Sequence, residues 1–120
     1  IKSSYNNLYF DGINSIKDVL KNKNFEYKNP NFVRAVLGGF QNNNIELFHA
    51  KDNSGYKFVA DQVILIDKIN PQTAARIITP MTNISKFNNN TKNRIKKYLN
   101  LILKSNPSND IFEVISKSLN

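Results

Sequence analysis

Cysteine and tryptophan are absent from this sequence, and histidine and methionine each occur only once. Without cysteine the chain can form neither a disulfide framework nor a thiolate metal site, which fits a reducing compartment. The single histidine, His49, also excludes the H-E-x-x-H zinc motif, because that motif needs two histidines one helical turn apart. The catalytic and metal classes that depend on these residues are therefore excluded for this chain.

Long apolar runs are absent as well. No stretch reaches the about 18 apolar residues of a membrane-spanning helix, and no charged-then-apolar leader opens the sequence. At 120 residues the chain has the length of one ordinary domain, which buries roughly two-thirds of its extended surface on folding. We therefore expect a soluble single domain over residues 1–120, with no membrane partner.

Acidic residues are few, and they leave a formal charge of +8 from 17 basic and 9 acidic side chains. Such an excess can indicate nucleic-acid binding. Here the lysines are scattered, and only Lys92 to Lys97 form a cluster, which we interpret as the solvated face of a helix. Since no recognition motif or aromatic platform accompanies the charge, we expect no nucleic-acid partner.

Two Asn-Pro pairs, Asn29-Pro30 and Asn70-Pro71, predict helix starts, because Asn is a preferred N-cap and Pro is well tolerated at the next position. Apolar residues at helical spacing follow the first pair. The predicted helices cover Ile13–Lys21, Asn31–Gln41, Ile45–His49, a stretch from Ser54 to Ile69 that is apolar on nearly every side, Pro71 to a kink or stop at Pro80, a helix capped by Thr91, and a last helix with an Asp110/Glu113 capping box.

About six or seven such helices with no convincing strand predict an all-α domain. The two Asn-Pro starts lie about forty residues apart, close to the period of helical-pair repeats. We therefore expect a right-handed superhelical stack of antiparallel helix pairs, a fragment of a HEAT- or armadillo-like α-solenoid.

Three linked runs occur in order: PNFVRAVLGGF, FHAKDNSGYKFVAD and INPQTAARIITPM. Together they closely resemble the C-terminal helical domain of bacterial alanyl aminopeptidases, the aminopeptidase N family of zinc metallopeptidases. The resemblance covers Ile13 to the end and weakens after Phe87, whereas Ile1 to Asp11 are not placed by it. The chain is thus expected to be the C-terminal part of a longer aminopeptidase.

The resemblance implies a cytoplasmic enzyme that removes N-terminal residues from peptides and holds zinc with H-E-x-x-H. Because this chain lacks that motif, zinc is expected to be bound outside it, and no residue here is expected to be catalytic. By the same resemblance the domain caps the catalytic domain of the same polypeptide and lines the chamber for peptide substrates. The alternative is a free-standing helical-repeat module that binds a partner protein.

Residues matching Arg34, Gln72 and Arg76 face that chamber in the family, so the resemblance implies that these three bind substrate. Gln72 and Arg76 are four positions apart and share one helix face. The structural alternative is that both arginines merely fix neighbouring helices through ion pairs. The acidic partners would then be Asp61, Asp67 or Glu46.

His49 lies beside Phe48, just before the loop Asp52-Asn53-Ser54-Gly55. No serine, aspartate or metal partner stands at an informative spacing, so we favour a structural, hydrogen-bonded histidine over a catalytic base. The loop has too few carboxylates for calcium and no phosphate cradle, and we interpret it as a tight turn that caps the next helix.

Overall fold

All regular structure in the described part of the chain is helical. The computed structural model describes residues 17–18, 20–21, 29–43 and 45–119, and within these ranges no strand occurs, which confirms the all-α prediction. No helix in the same ranges has the length and apolar character needed to cross a membrane. The helices are α1 (Pro30–Asn43), α2 (Ile45–Phe48), α3 (Ser54–Asp67), α4 (Pro71–Thr82), α5 (Asn89–Leu103) and α6 (Asn109–Leu119), with a 3-10 turn at Ile84–Lys86.

The chain divides into two compact units, Ile1–Phe58 and Val59–Asn120, and α3 runs from the first into the second. The expectation of one domain over residues 1–120 stays a prediction. Of the predicted helix Ile13–Lys21, only part is described: Lys17, Asp18, Leu20 and Lys21 are helical, and Leu20 is buried. Residues 22–28, which are polar apart from Phe25 and Tyr27 and are expected to form a linker, lie outside the described residues.

In the first unit, α1 buries one apolar stripe, as its spacing predicts. The stripe consists of Val33, Val36, Leu37 and Phe40, all fully buried. The Phe40 ring meets the rings of Phe48 on α2 and Phe58 on α3 edge to face, with centroids 6.1 Å and 5.4 Å away. This aromatic cluster holds α2 and the amino-terminal part of α3 against α1.

Both Asn-Pro helix starts are confirmed. Asn29 accepts a hydrogen bond from the backbone N–H of Asn31 at 3.0 Å, and α1 begins at Pro30. Asn70 accepts from the N–H of Thr73 at 3.2 Å, and α4 begins at Pro71. The α3 start at Ser54 also agrees with the prediction, and there Asp52 accepts from the Ser54 N–H at 2.9 Å.

Two other cap assignments are wrong. Asn88, not Thr91, caps α5, and the Thr91 N–H is the donor at 2.9 Å. Ser108, rather than an Asp110/Glu113 box, caps α6 by accepting from the N–H of Ile111 at 3.3 Å. In both cases the helix begins earlier than the apolar pattern suggests, because polar residues occupy its first turn.

Helix α4 does not stop at Pro80. It continues through this residue and ends at Thr82. Pro80 cannot donate to the Arg76 carbonyl, which removes one helical hydrogen bond. Met81, the residue after Pro80, is fully buried, and burial of this side chain keeps the last turn packed.

The expected all-round burial of α3 is incomplete, since Leu65 is 43% exposed and Ile69, just after the helix, is 41% exposed.

In the second unit, α4 and α6 pack along each other and run parallel. Their first turns meet where Gln72 and Asp110 line one pocket, and their last turns meet where Ser118 Oγ donates to the Thr82 carbonyl at 2.5 Å. The intervening α5 contacts α6 and must return to the starting end, so it runs antiparallel to both. Antiparallel neighbours with parallel alternate helices are the arrangement expected of a helical solenoid.

Candidate functional site

Helix α4 separates an apolar face from a polar one. Its buried residues are Thr73, Ala74, Ile77, Ile78 and Met81. Burial of that face fixes the rotation of the helix, so Gln72 and Arg76 lie together on the exposed face. The shared face predicted for these two side chains is therefore present.

Helix α6 presents a second polar face, positioned by its cap. Ser108 donates through its N–H and its hydroxyl to the two Asp67 carboxylate oxygens, at 2.8 Å and 2.5 Å, while its hydroxyl oxygen caps the helix. Ile111 and Ile115 are fully buried. Asp110 and Glu113, three positions apart, consequently lie on an exposed face of α6.

The two polar faces border a wide, open pocket of about 490 Å³ between α4 and α6. Its walls carry one guanidinium group, one carboxamide and two carboxylates, with small aliphatic groups between them. The lining residues are Gln72, Ala75, Arg76, Asp110, Glu113 and Val114. Such a lining can offer a ligand both hydrogen-bond donors and anionic acceptors.

The charged groups of this pocket do not neutralise one another. Within the described residues Arg76 forms no ion pair, and neither the Gln72 nor the Asp110 side chain has a hydrogen-bond partner. Glu113 lies 3.8 Å from Lys117 on its own helix, and both side chains are largely exposed, at 71% and 80%. A pair this exposed contributes little, so all four polar groups are available to a ligand.

Arg34, the third predicted site residue, belongs to the first unit. Its Nε donates to the Pro30 carbonyl at 3.3 Å, and its Nη2 donates to the Asn31 side-chain oxygen at 2.9 Å. The guanidinium is thus held over the first turn of α1. The structure brings Gln72 and Arg76 into one pocket, while Arg34 has its own hydrogen bonds in the other unit.

The structural alternative, in which the arginines pair with nearby carboxylates, is not observed among the described residues. Arg34 uses neutral oxygens, and Arg76 has no acidic partner. Asp67 is occupied by Ser108.

His49 is hydrogen-bonded, as predicted. Its Nδ1 shares a hydrogen bond with the Tyr56 hydroxyl, and its ring packs edge to face against Phe48 and Tyr56, at centroid distances of 4.7 Å and 5.4 Å. The described residues also contain no group of three or more His, Cys, Asp or Glu that could hold a metal ion. The donor set of this part of the chain therefore does not fit a zinc site.

Sequence reasoning missed Asp110, Glu113 and Val114 as pocket residues. It assigned the two carboxylates to a cap, although their spacing opposite Ile111 and Ile115 already indicated an exposed face. The sequence contains no local signal that α4 and α6, which α5 separates in the chain, pack side by side.

One protein family matches nearly the whole chain. The family described as "Domain of unknown function (DUF3458_C) ARM repeats" matches residues 9–120. The match begins inside the stretch Ile1–Asp11 that the resemblance did not place, and it continues to the last residue.

Two bacterial aminopeptidases are similar in sequence to most of this chain, as the resemblance implies. The chain is 37% identical to aminopeptidase N of Haemophilus influenzae over 105 residues, which cover 87% of this chain. It is 30% identical to aminopeptidase N of Escherichia coli K12 over 108 residues, 89% of this chain. In each case the match covers only 12% of the relative.

A solved structure gives the same result. The crystal structure of Legionella pneumophila aminopeptidase A in complex with aspartic acid matches 89% of this chain and 12% of its own, with a TM-score of 0.83 and 33% identity. The helical-repeat fold predicted from the sequence is therefore found in an aminopeptidase of known structure. By its match over residues 9–120 and its likeness to segments of aminopeptidase N, this chain belongs to the DUF3458_C family of ARM-repeat domains.

Proposed function

We propose that this chain is the C-terminal domain of a zinc-dependent, cytoplasmic aminopeptidase that removes N-terminal residues from peptides. In this proposal the domain caps the catalytic domain of the same polypeptide and lines the substrate chamber. Support comes from the named relatives, which are aminopeptidases and match 87% and 89% of this chain. The alternative of a free-standing interaction module lacks comparable support.

Zinc is placed outside this chain in the proposal. One histidine and no cysteine cannot supply H-E-x-x-H or a thiolate site. The domain therefore contributes to binding and access, not to bond cleavage, and it is a fragment of an enzyme that has no reactive constellation of its own.

The proposed substrate contacts are Arg34, Gln72 and Arg76. A guanidinium group binds carboxylates and carbonyl oxygens through directed N–H donors, and the Gln72 carboxamide adds hydrogen bonds of defined direction. The observation that carries this assignment is Arg76 itself, which is exposed in a pocket and has no ion-pair partner in the part of the chain that the structure describes. A cation that the fold does not use is available for substrate.

The test is Arg76→Ala in the complete enzyme. Loss of a charge-assisted contact to the peptide beyond the scissile bond should lower kcat/KM for tetrapeptides by about tenfold. Single-residue chromogenic substrates do not reach that contact and should lose much less. Steady-state kinetics on both substrate types give the comparison.

Lys104→Ala is the matched control, because it removes an exposed cation that lies outside the pocket lining. It should leave the ratio between the two substrate types unchanged. Equal losses for both substrate types in Arg76→Ala would contradict the proposed contact.

A further inference from the structure

We propose that the pocket between α4 and α6 binds the cationic side chain of a lysine or arginine located beyond the scissile bond of the peptide. This inference rests on the proposed function and extends it to a substrate class. The juxtaposition that supports it is the pair Asp110 and Glu113 on α6, which line one pocket together with Arg76 on α4.

The lining matches the two parts of such a side chain. Ala75 and Val114 are half-buried and supply an aliphatic surface for the methylene groups. Asp110 and Glu113 are exposed and supply carboxylates for the ammonium or guanidinium head. Because buried Ile111 and Ile115 hold α6 in place, both carboxylates stay on the pocket side.

Within the described ranges, neither carboxylate holds α6 to another element. Asp110 lies in the first turn of α6, where its charge is favourable but needs no side-chain partner. Asp67 shows the contrasting case, since both its oxygens accept hydrogen bonds from Ser108. The Asp110 carboxylate has no hydrogen-bond or ion-pair partner among the described residues, and the Glu113 carboxylate has only the exposed contact to Lys117 at 3.8 Å. A ligand cation can therefore reach them without breaking a buried interaction.

Arg76 makes the two walls of the pocket opposite in charge. Its guanidinium repels a cationic side chain from the α4 wall and leaves the α6 wall as the favourable side. The same group attracts the carbonyl oxygens or carboxylate of the peptide backbone, so the two walls would bind different parts of one peptide. The chain as a whole carries a charge of +8, which disfavours cationic peptides unless carboxylates are locally present.

The experiment compares tetrapeptides that contain lysine or norleucine at the second, third or fourth position, using the complete enzyme. Norleucine keeps the methylene chain and removes the charge. At one of these positions the lysine peptide should have a kcat/KM about three- to tenfold higher, the range expected for exposed ion pairs to two carboxylates. Raising the salt concentration should reduce this preference.

The double variant Asp110→Asn/Glu113→Gln should bring the lysine-to-norleucine ratio to about one. Both side chains are exposed and the replacements are isosteric, so circular dichroism should confirm an unchanged fold. Glu46→Gln is the matched control: it removes an exposed carboxylate on α2, in the other unit, and should preserve the ratio.

The result that overturns the inference is a lysine preference that survives in the double variant, or a wild-type enzyme without any preference. If Arg76→Ala still weakens tetrapeptide hydrolysis in that case, only this inference fails and the proposed function stands. If Arg76→Ala has no effect either, both fail together.

Discussion

Gly55 occupies a position where no larger residue fits. A Cβ placed there would collide with the carbonyl oxygens of Leu47 and Phe48, which are backbone atoms of the preceding helical turn and cannot rotate away. We expect Gly55→Ala to lower the free energy of unfolding by about 1–3 kcal/mol, the usual cost of overpacking. Urea unfolding followed by circular dichroism measures this loss.

Gly38→Ala provides the matched control. Gly38 lies inside α1, and a Cβ there would meet no atom within 4 Å. Alanine should raise the stability by about 0.5–1 kcal/mol, because it lowers the conformational freedom lost on folding. Similar effects from the two substitutions would contradict the close approach at Gly55.

Ser108 joins two helices through one side chain. Its hydroxyl donates to Asp67 at the end of α3 and accepts from the Ile111 N–H at the start of α6. Ser108→Ala should therefore cost about 1–2 kcal/mol, as cap removal does. Ser85→Ala changes an exposed serine in the 3-10 turn and should be nearly neutral, and thermal unfolding of the two variants distinguishes these outcomes.

The helix caps show which single-residue roles could be predicted from the sequence. Asn29 and Asn70 were predictable caps, because a proline follows each and fixes where the helix begins. Thr91 and Asp110 were wrong because each stands in a run of polar residues, any of which can cap a helix. In such a run the backbone conformation determines which residue caps the helix, and that conformation depends on packing further along the chain.

At the scale of helices, the predicted periodicity holds well for burial. In α6, Ile111 is fully buried and its neighbour Phe112 is 55% exposed. We expect Ile111→Ala to cost about 2–5 kcal/mol, since it leaves a cavity, whereas Phe112→Ala should cost far less. Denaturant midpoints for the two variants measure the difference, and a larger loss for Phe112→Ala would contradict the observed orientation of α6.

Periodicity gave the faces of the helices but not their partners. The apolar stripes of α4 and α6 could be read from Ile77, Ile78, Ile111 and Ile115, yet no local pattern paired the two helices. Their pairing depends on α5 returning between their ends, which is a long-range property. The candidate pocket lies between these two helices, so only its α4 half was predicted.

At the scale of the whole chain, composition limits the chemistry. One histidine and no cysteine leave no route to the zinc centre of an aminopeptidase. We expect the purified 120-residue chain, with or without added zinc, to show no hydrolysis of aminoacyl chromogenic substrates. Zinc-dependent turnover that copurifies with this chain through successive columns would contradict the proposed division of labour.

The parallel run of α4 and α6 has an electrostatic consequence beyond side chains. Peptide dipoles in parallel helices add, whereas those of antiparallel neighbours cancel. The two helices begin at Pro71 and Asn109, next in sequence to the lining residues Gln72 and Asp110, so their amino-terminal ends add positive potential at one end of the pocket. This potential belongs to the backbone, and the Asp110 carboxylate, in the first turn of α6, offsets it. Asp110→Asn would therefore leave that end of the pocket more positive and less favourable for a cationic side chain.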